Sequence, residues 1–246
     1  VLRRQIVIGD ARRLDDEPIG ALHPAGDIAA GPDHKAVAHE LAVQGGDLVT
    51  AVDEVGAQRP AAVVLAGREG CFSAGADLNA VPGYGPAEQR GMVEGINRMA
   101  LGVYGLPCPV VGAITGHAIA GGFVLALCAD HRVASTEGRY GLTEIRVGVP
   151  YPQAAIGVVR AELSAQAARL LVFGNKLVDS AECLRLGAFD ELVEPGRVLE
   201  RALAVAAELA ELPSDVYART KEGLRGETLA RLRAAAEVDP LLSAWV

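Results

Sequence analysis

The chain has 246 residues, half of them apolar and only 4% aromatic, which gives one large core filled by Ala, Val, Leu and Gly. Its formal net charge of −8 argues against a nucleic-acid backbone as partner, which needs clustered Lys and Arg; a phosphorylated small molecule held by a few local basic residues stays compatible. The cysteines Cys71, Cys108, Cys128 and Cys183 form no C-x-x-C pair and have no companion His cluster, which argues against a metal site or a disulfide framework. They read as reduced packing thiols of a cytoplasmic protein.

The start, VLRRQIVIGDARRLDDE, lacks the apolar core of a signal peptide, and no apolar run reaches the roughly 18 residues of a membrane span. Residues 5–9 predict a strand, and the polar, Gly- and Pro-rich stretch that follows predicts a loop. From Ala36 to Val55, Leu41, Val43, Leu48, Val49, Val52 and Val55 recur at helical spacing, with Gly45-Gly46 interrupting the pattern. Ala61 to Ala66 is continuously apolar, as a strand buried on both faces requires. The stretch GCFSAGADLNAVPG then reads as a turn of small residues leading into an acidic, helix-like segment at Asp77.

Ala87 to Leu101 predicts a helix, stopped by Pro107 to Pro109. Val110 to Ile114 is a second buried strand, Gly116-His117 a turn, and Ala118 to Ala129 a small-residue helix containing Gly121-Gly122. Arg132 to Ala134 and Arg139 to Leu142 are short strands. Helices follow at Pro152 to Glu162, Ser164 to Gly174 and from Ser180 to Gly187. Gly187 to Val193 reads as a strand, and helices cover Val198 to Leu212 and Asp215 onward, the last broken at Gly226 and Pro240. The pattern is α/β, built from β-β-α units with a helical C-terminal region.

Four stretches in order, VVLAGREGCFSAGADL, PVVGAITGHAIAGGFVLALCADHRVAS, YGLTEIRVGVPYP and LVFGNKLVDSAECLRLGAFDELVEP, resemble the crotonase superfamily, also called the enoyl-CoA hydratase/isomerase family. The similarity runs from about Pro60 to Glu211. It implies a crotonase-type ββα spiral core over 1–190, carrying an acyl-CoA site, and a helical trimerisation region over 191–246. Residues 1–45 are atypical: where the family carries an Asn-Arg-Pro loop that helps hold coenzyme A, this chain reads GDARRLDDEPIGALHPAGDI, with Arg12 and Arg13 as the available basic residues.

The resemblance also implies an oxyanion hole of two backbone N–H groups, those of Ala76 in SAGAD and Gly121 in IAGGF. A thioester carbonyl gains negative charge as it becomes an enolate, and two fixed donors stabilise that charge. Read without the resemblance, SAGAD is a strand-to-helix turn with Asp77 as a cap, and the Gly pair is close helix packing. Hydratases of the family carry two glutamates. Here the first position is Val124 and the second is Glu144, so a single carboxylate is left to move a proton from one carbon to another. Glu144 also reads as a structural partner of Arg146.

The resemblance places Arg68, Ser73, Ala74 and Lys221 on the coenzyme A side, with Lys221 near a phosphate or else on a solvated helix face. Tyr84, Glu88 and Arg90 fall on the variable segment that shapes the acyl pocket. His117 and His131 read as structural. The expected activity is enoyl-CoA isomerisation with Glu144 as sole acid/base. Hydration, decarboxylation, thioester hydrolysis and acyl-CoA binding without catalysis are the alternatives. The only cofactor expected is the CoA moiety of the substrate, with no metal. The partners expected are the acyl-CoA thioester and further copies of the chain in a trimer or hexamer, with neither nucleic acid nor membrane.

Overall fold

The computed structural model describes residues 3–8, 42–43, 45–76 and 83–243. Two parallel sheets organise it. The larger has six strands in the order β2-β1-β3-β5-β7-β9: β1 (Arg3–Ile8), β2 (Ala42–Val43), β3 (Ala62–Ala66), β5 (Val110–Ile114), β7 (His131–Ser135) and β9 (Glu191–Val193). The smaller has three, in the order β4-β6-β8: β4 (Gly70–Ser73), β6 (Gly116–Ile119) and β8 (Tyr140–Gly141). After β3 the chain repeatedly places one strand in the large sheet and the next in the small one, then adds a helix. Those helices are α2 (Pro86–Tyr104), α3 (Gly121–Leu127) and α4 (Gln153–Glu162), and α1 (Gly45–Gln58) precedes β3. This is the expected ββα spiral.

The continuous apolar run of β3 follows from burial on both faces. Val63 and Leu65 join the main core with Val103, Phe123, Leu125 and Val158. Ala62, Val64 and Ala66 face the other way, against Val198, Ala202, Val205 and Ala206 of α7 (Val198–Ala210). Period-two alternation therefore feeds two cores, and neither face has room for a polar residue. The sheet continues past residue 190, through β9 and its cover α7.

Several elements differ from the sequence reading. Residues 42–43 form a strand, and α1 begins only at Gly45. Gly70–Ser73 and Gly116–Ile119 are strands rather than turns; each is four residues long and is stabilised by pairing with the other, a non-local interaction. Helix α3 therefore starts at Gly121, not Ala118. The helix begun at Ser164 is α5 (Ala165–Ala168), which passes into a π turn at Arg169–Phe173. Helix α6 (Ser180–Arg185) is capped by the Asp179 carboxylate, which accepts from Glu182 N at 2.8 Å. Helix α8 (Ser214–Glu237) runs through Gly226 without a break. The helix holds two interior glycines, Gly223 and Gly226, each costing about 1 kcal/mol, and the burial of Leu229 and Leu232 helps offset them.

A buried ionic cluster ties α8 to this frame. The Asp130 carboxylate accepts from Lys221 Nζ at 2.6 Å and from Val110 N at 2.8 Å, and it pairs with Arg225 at 2.8 Å. Arg225 also reaches Glu162 at 3.1 Å and lies 4.0 Å over the Tyr104 ring. Glu162 in turn holds Arg132 and the Tyr104 hydroxyl. The C-terminal ends of α2, α3 and α4 and the middle of α8 thus meet on alternating charges. No helix among the described residues is long and apolar enough to cross a membrane.

Candidate active site

The small sheet brings the site together. Its strands are parallel, and the register aligns Ser73 with Ala118 and Ala118 with Tyr140. The chain leaves β4 toward Ala76, β6 toward Gly121 and β8 toward Glu144. All three expected catalytic positions therefore follow the same C-terminal edge of one sheet, where parallel sheets present ligand-binding loops. A hydrogen bond from Ala120 N to Gly141 O, 2.8 Å, locks the second exit to the third.

The first and second exits are also in close contact. Gly75 has φ +82°, and a Cβ there would come within 3.1 Å of Gly121 N. Its own amide bonds the Ser73 hydroxyl at 3.3 Å, which tightens the turn. A Cβ at Gly122 would strike the Ser73 carbonyl at 2.2 Å, whereas one at Gly121 would meet nothing nearer than Gly75 Cα at 3.8 Å. Gly122 is thus a packing glycine. Gly121 is not required by protein packing, and its bare backbone leaves space in front of its N–H. As the first residue of α3 it has no acceptor within the helix. Among the described residues neither Ala76 N nor Gly121 N has a hydrogen-bond partner. Ala120, between the two strands' exits, is held at φ +54°, a conformation that L-residues seldom adopt.

This division of labour gives a paired prediction. Gly122→Ala is expected to lower stability by about 1–3 kcal/mol through overpacking. Gly121→Ala is expected to keep the wild-type melting temperature, its added Cβ making only ordinary contact, and, on the oxyanion-hole role expected of Gly121, to lose about 10²-fold in turnover. Thermal melts and kinetics on both variants check this.

Glu144 opens a short 3-10 helix, Glu144–Val147, that follows β8. Burial pushes its carboxyl above the usual carboxylate range, against the smaller opposing pull of the Tyr151 hydroxyl and the amides of Glu144 and Thr143. One oxygen, Oε2, is buried without a hydrogen-bond partner. The alternative of an ion pair with Arg146 is not realised: that guanidinium turns outward to Asn175 O at 2.9 Å. Val124 is 1% exposed in α3 and supplies only apolar contact.

The residues expected on the coenzyme A side divide. Ser73 and Ala74 lie beside Gly75 in the first exit. Arg68 precedes β4, at the opposite end of that strand, where its carbonyl accepts from Thr115 Oγ1 at 2.5 Å. Lys221 does not suit the phosphate role. It is 8% exposed, and its ammonium is used by Asp130 and by Cys108 O at 3.1 Å. Nor is it on a solvated face. His117 accepts from Arg139 N at 2.9 Å, a structural contact. Arg12, Arg13 and Asp77 lie outside the described residues.

Comparison with known proteins identifies the family. The family model described as Enoyl-CoA hydratase/isomerase matches residues 45–242. The chain belongs to the enoyl-CoA hydratase/isomerase family. A putative enoyl-CoA hydratase of Thermus thermophilus is 36% identical over 75% of this chain and 74% of its own. The human enoyl-CoA delta isomerase 1, mitochondrial, is 30% identical over 72% of this chain and 59% of its own. Among solved structures, an enoyl-CoA hydratase from Mycobacterium marinum superposes with TM-score 0.75 at 30% identity, covering 82% of this chain and 88% of that one. Human mitochondrial delta3-delta2-enoyl-CoA isomerase gives TM-score 0.75 at 27% identity, covering 81% and 80%. The chain is accordingly a crotonase-fold enzyme of this family.

Proposed function

We propose that this family member is an enoyl-CoA isomerase that moves the double bond of an acyl-CoA thioester. The observation that carries the reading is that, among the described residues, Glu144 is the one carboxylate just past the C-terminal edge of the small sheet. Glu144 follows β8, and Val124 stands buried where the family's hydratases have a second glutamate. The thioester carbonyl of a 3-enoyl-CoA enters between Ala76 N and Gly121 N. The Glu144 carboxylate takes a proton from the α-carbon, the electron pair shifts through the double bond, and the resulting dienolate oxygen is held by the two amides. Glu144, now protonated, returns that proton to the γ-carbon and leaves a 2-enoyl-CoA. Atoms and charge balance without water or any cofactor besides the CoA of the substrate. A carboxyl raised by burial suits both halves, since base and conjugate acid are then closer in strength to the carbon acids they serve.

Hydration is the second reading, favoured by the name of the Thermus relative at 36% identity. Adding water across the double bond requires a nucleophile held and deprotonated, and Val124 offers neither function. The two readings separate in one assay. Incubated with a 3-enoyl-CoA, the enzyme is expected to accumulate the 2-enoyl-CoA; given 2-enoyl-CoA alone, it should form no 3-hydroxyacyl-CoA. Rapid hydration of the 2-enoyl-CoA would overturn the isomerase reading. Assembly as a trimer or hexamer is part of the same proposal and is checked by light scattering.

A further inference from the structure

Seven residues beyond Glu144 the chain returns to it. Gly148 closes the 3-10 helix in the left-handed conformation, φ +72°, and its amide bonds Ile145 O at 3.2 Å. Val149 N then bonds Glu144 O at 3.0 Å, which turns the chain back toward the start of the 3-10 helix. The next turn, Val149-Pro150-Tyr151-Pro152, is anchored from the far side. The Asp239 carboxylate accepts from Gln153 N at 2.8 Å, and Asn97 Oδ1 accepts from Ala154 N at 2.9 Å, so the start of α4 is fixed by α2 and the chain end. Asn97 and Asp239 are themselves bonded at 2.9 Å.

This rigid return leaves Tyr151 with its ring packed on the main core and its hydroxyl buried without a hydrogen-bond partner. Glu144 Oε2 is likewise buried and unpartnered. Two unpartnered polar groups on one folded-back turn are costly to leave apart, at about 1–3 kcal/mol each. Among the described residues Tyr151 is the one side chain that acts on the Glu144 carboxyl, drawing it down, while Glu144 in turn pushes the phenol up. No charged side chain among the described residues acts on Glu144. Arg146, on the same turn, points to Asn175 O, and Arg169, on the π turn packed against it, is exposed.

We propose that Tyr151 is the positioning residue for Glu144: its O–H donates to one carboxylate oxygen and leaves the other to face the substrate. The inference rests on the isomerase reading of Glu144. A carboxylate with two equivalent free oxygens rotates about its last bond and presents each at random to the α- and γ-carbons. With one oxygen held by the phenol, the other takes the proton from the α-carbon and gives it back at the γ-carbon. The phenol keeps its own proton throughout and adds nothing to the stoichiometry. The hydrogen bond favours the ionised carboxylate and so opposes the effect of burial.

Tyr151→Phe tests this cleanly. The hydroxyl has no other partner, so its removal costs no other contact and the ring stays packed. The variant is expected to melt at or above the wild-type temperature, to lose about tenfold in kcat at neutral pH with KM nearly unchanged, and to show the acid limb of its pH–rate profile moved upward. Infrared titration of the buried carboxyl band, with Glu144→Gln as blank, reads the same upward displacement without substrate. An acid limb and a carboxyl titration both unmoved in Tyr151→Phe would overturn the positioning role. Full activity in Glu144→Gln would instead overturn the isomerase reading beneath it, so the two failures are distinguishable.

Discussion

Glu144→Gln is expected to slow double-bond isomerisation by about 10²–10⁴-fold, the usual contribution of one positioned acid/base, and to make the protein more stable. The two effects have one cause. Burial raises the Glu144 carboxyl above its unfolded value, so the native state holds this proton more tightly than the unfolded chain does. The associated stability is fully present below the unfolded pKa and is lost as pH rises through the folded one. At neutral pH the wild-type enzyme carries that cost, and glutamine removes it. A gain of about 1 kcal/mol is the scale on which active-site groups trade stability for activity. Denaturant midpoints measured across pH check the sign: the advantage of Glu144→Gln should grow as pH rises and vanish in acid. The same shift sets the rate profile. On the proposed role of Glu144, which requires the ionised carboxylate, activity is expected to rise on the acid side at a higher pH than an ordinary carboxylate would give.

The largest effect on stability is expected at Asp130, far from the chemistry. Asp130→Ala is expected to cost about 3–5 kcal/mol, because removing one partner of a buried ion pair leaves the other uncompensated. Here Lys221, its side chain 9% exposed, is left with only the Cys108 carbonyl, while Arg225 loses one of two carboxylates and keeps Glu162. The pH dependence has a definite sign. Burial holds Lys221 below the usual lysine range, and Asp130 is the main influence opposing that. Without Asp130 the ammonium is destabilised further, so the native state binds this proton less tightly than the unfolded chain. Stability lost near neutral pH should then return in part as pH rises and the lysine discharges. Urea titrations at two pH values measure it. If Lys221 were a solvated ligand for a phosphate, Asp130→Ala would do little to stability at any pH.

The sequence was most informative where residue type alone decides the outcome. The apolar runs at 62–66 and 110–114 are strands because both faces are buried, and the helix at 86–104 starts and stops at prolines and glycines. It was least informative where pairing decides. GCFS and GHAI are too short and too rich in small residues to resemble strands, yet each is held by the other, and their alignment brings Ala76 and Gly121 to one edge. Gly121 and Gly122 are chemically identical in sequence, and only the backbone behind each separates the packing glycine from the open one. Lys221 was misplaced for a related reason: a lysine on an amphipathic helix does not reveal that a buried aspartate, 91 residues away, awaits it.

Tyr151 lies within YGLTEIRVGVPYP, and the family resemblance assigns it no role. The signal was present: the chain has five tyrosines, and this one stands between two prolines just after a Gly-closed turn that begins at Glu144. What was missing was the knowledge that the turn folds back. Glu144 stood out in the sequence as a lone glutamate beside a strand end with valine at the paired position, which is why the proposal makes it the acid/base.

The most direct test of that central claim is deuterium incorporation into a 3-enoyl-CoA in D2O. Label at both the α- and γ-carbons with the wild-type enzyme, and at neither with Glu144→Gln, is the result expected of one carboxylate serving both carbons. Equal labelling by both proteins, or none by either despite binding of the thioester, would contradict it.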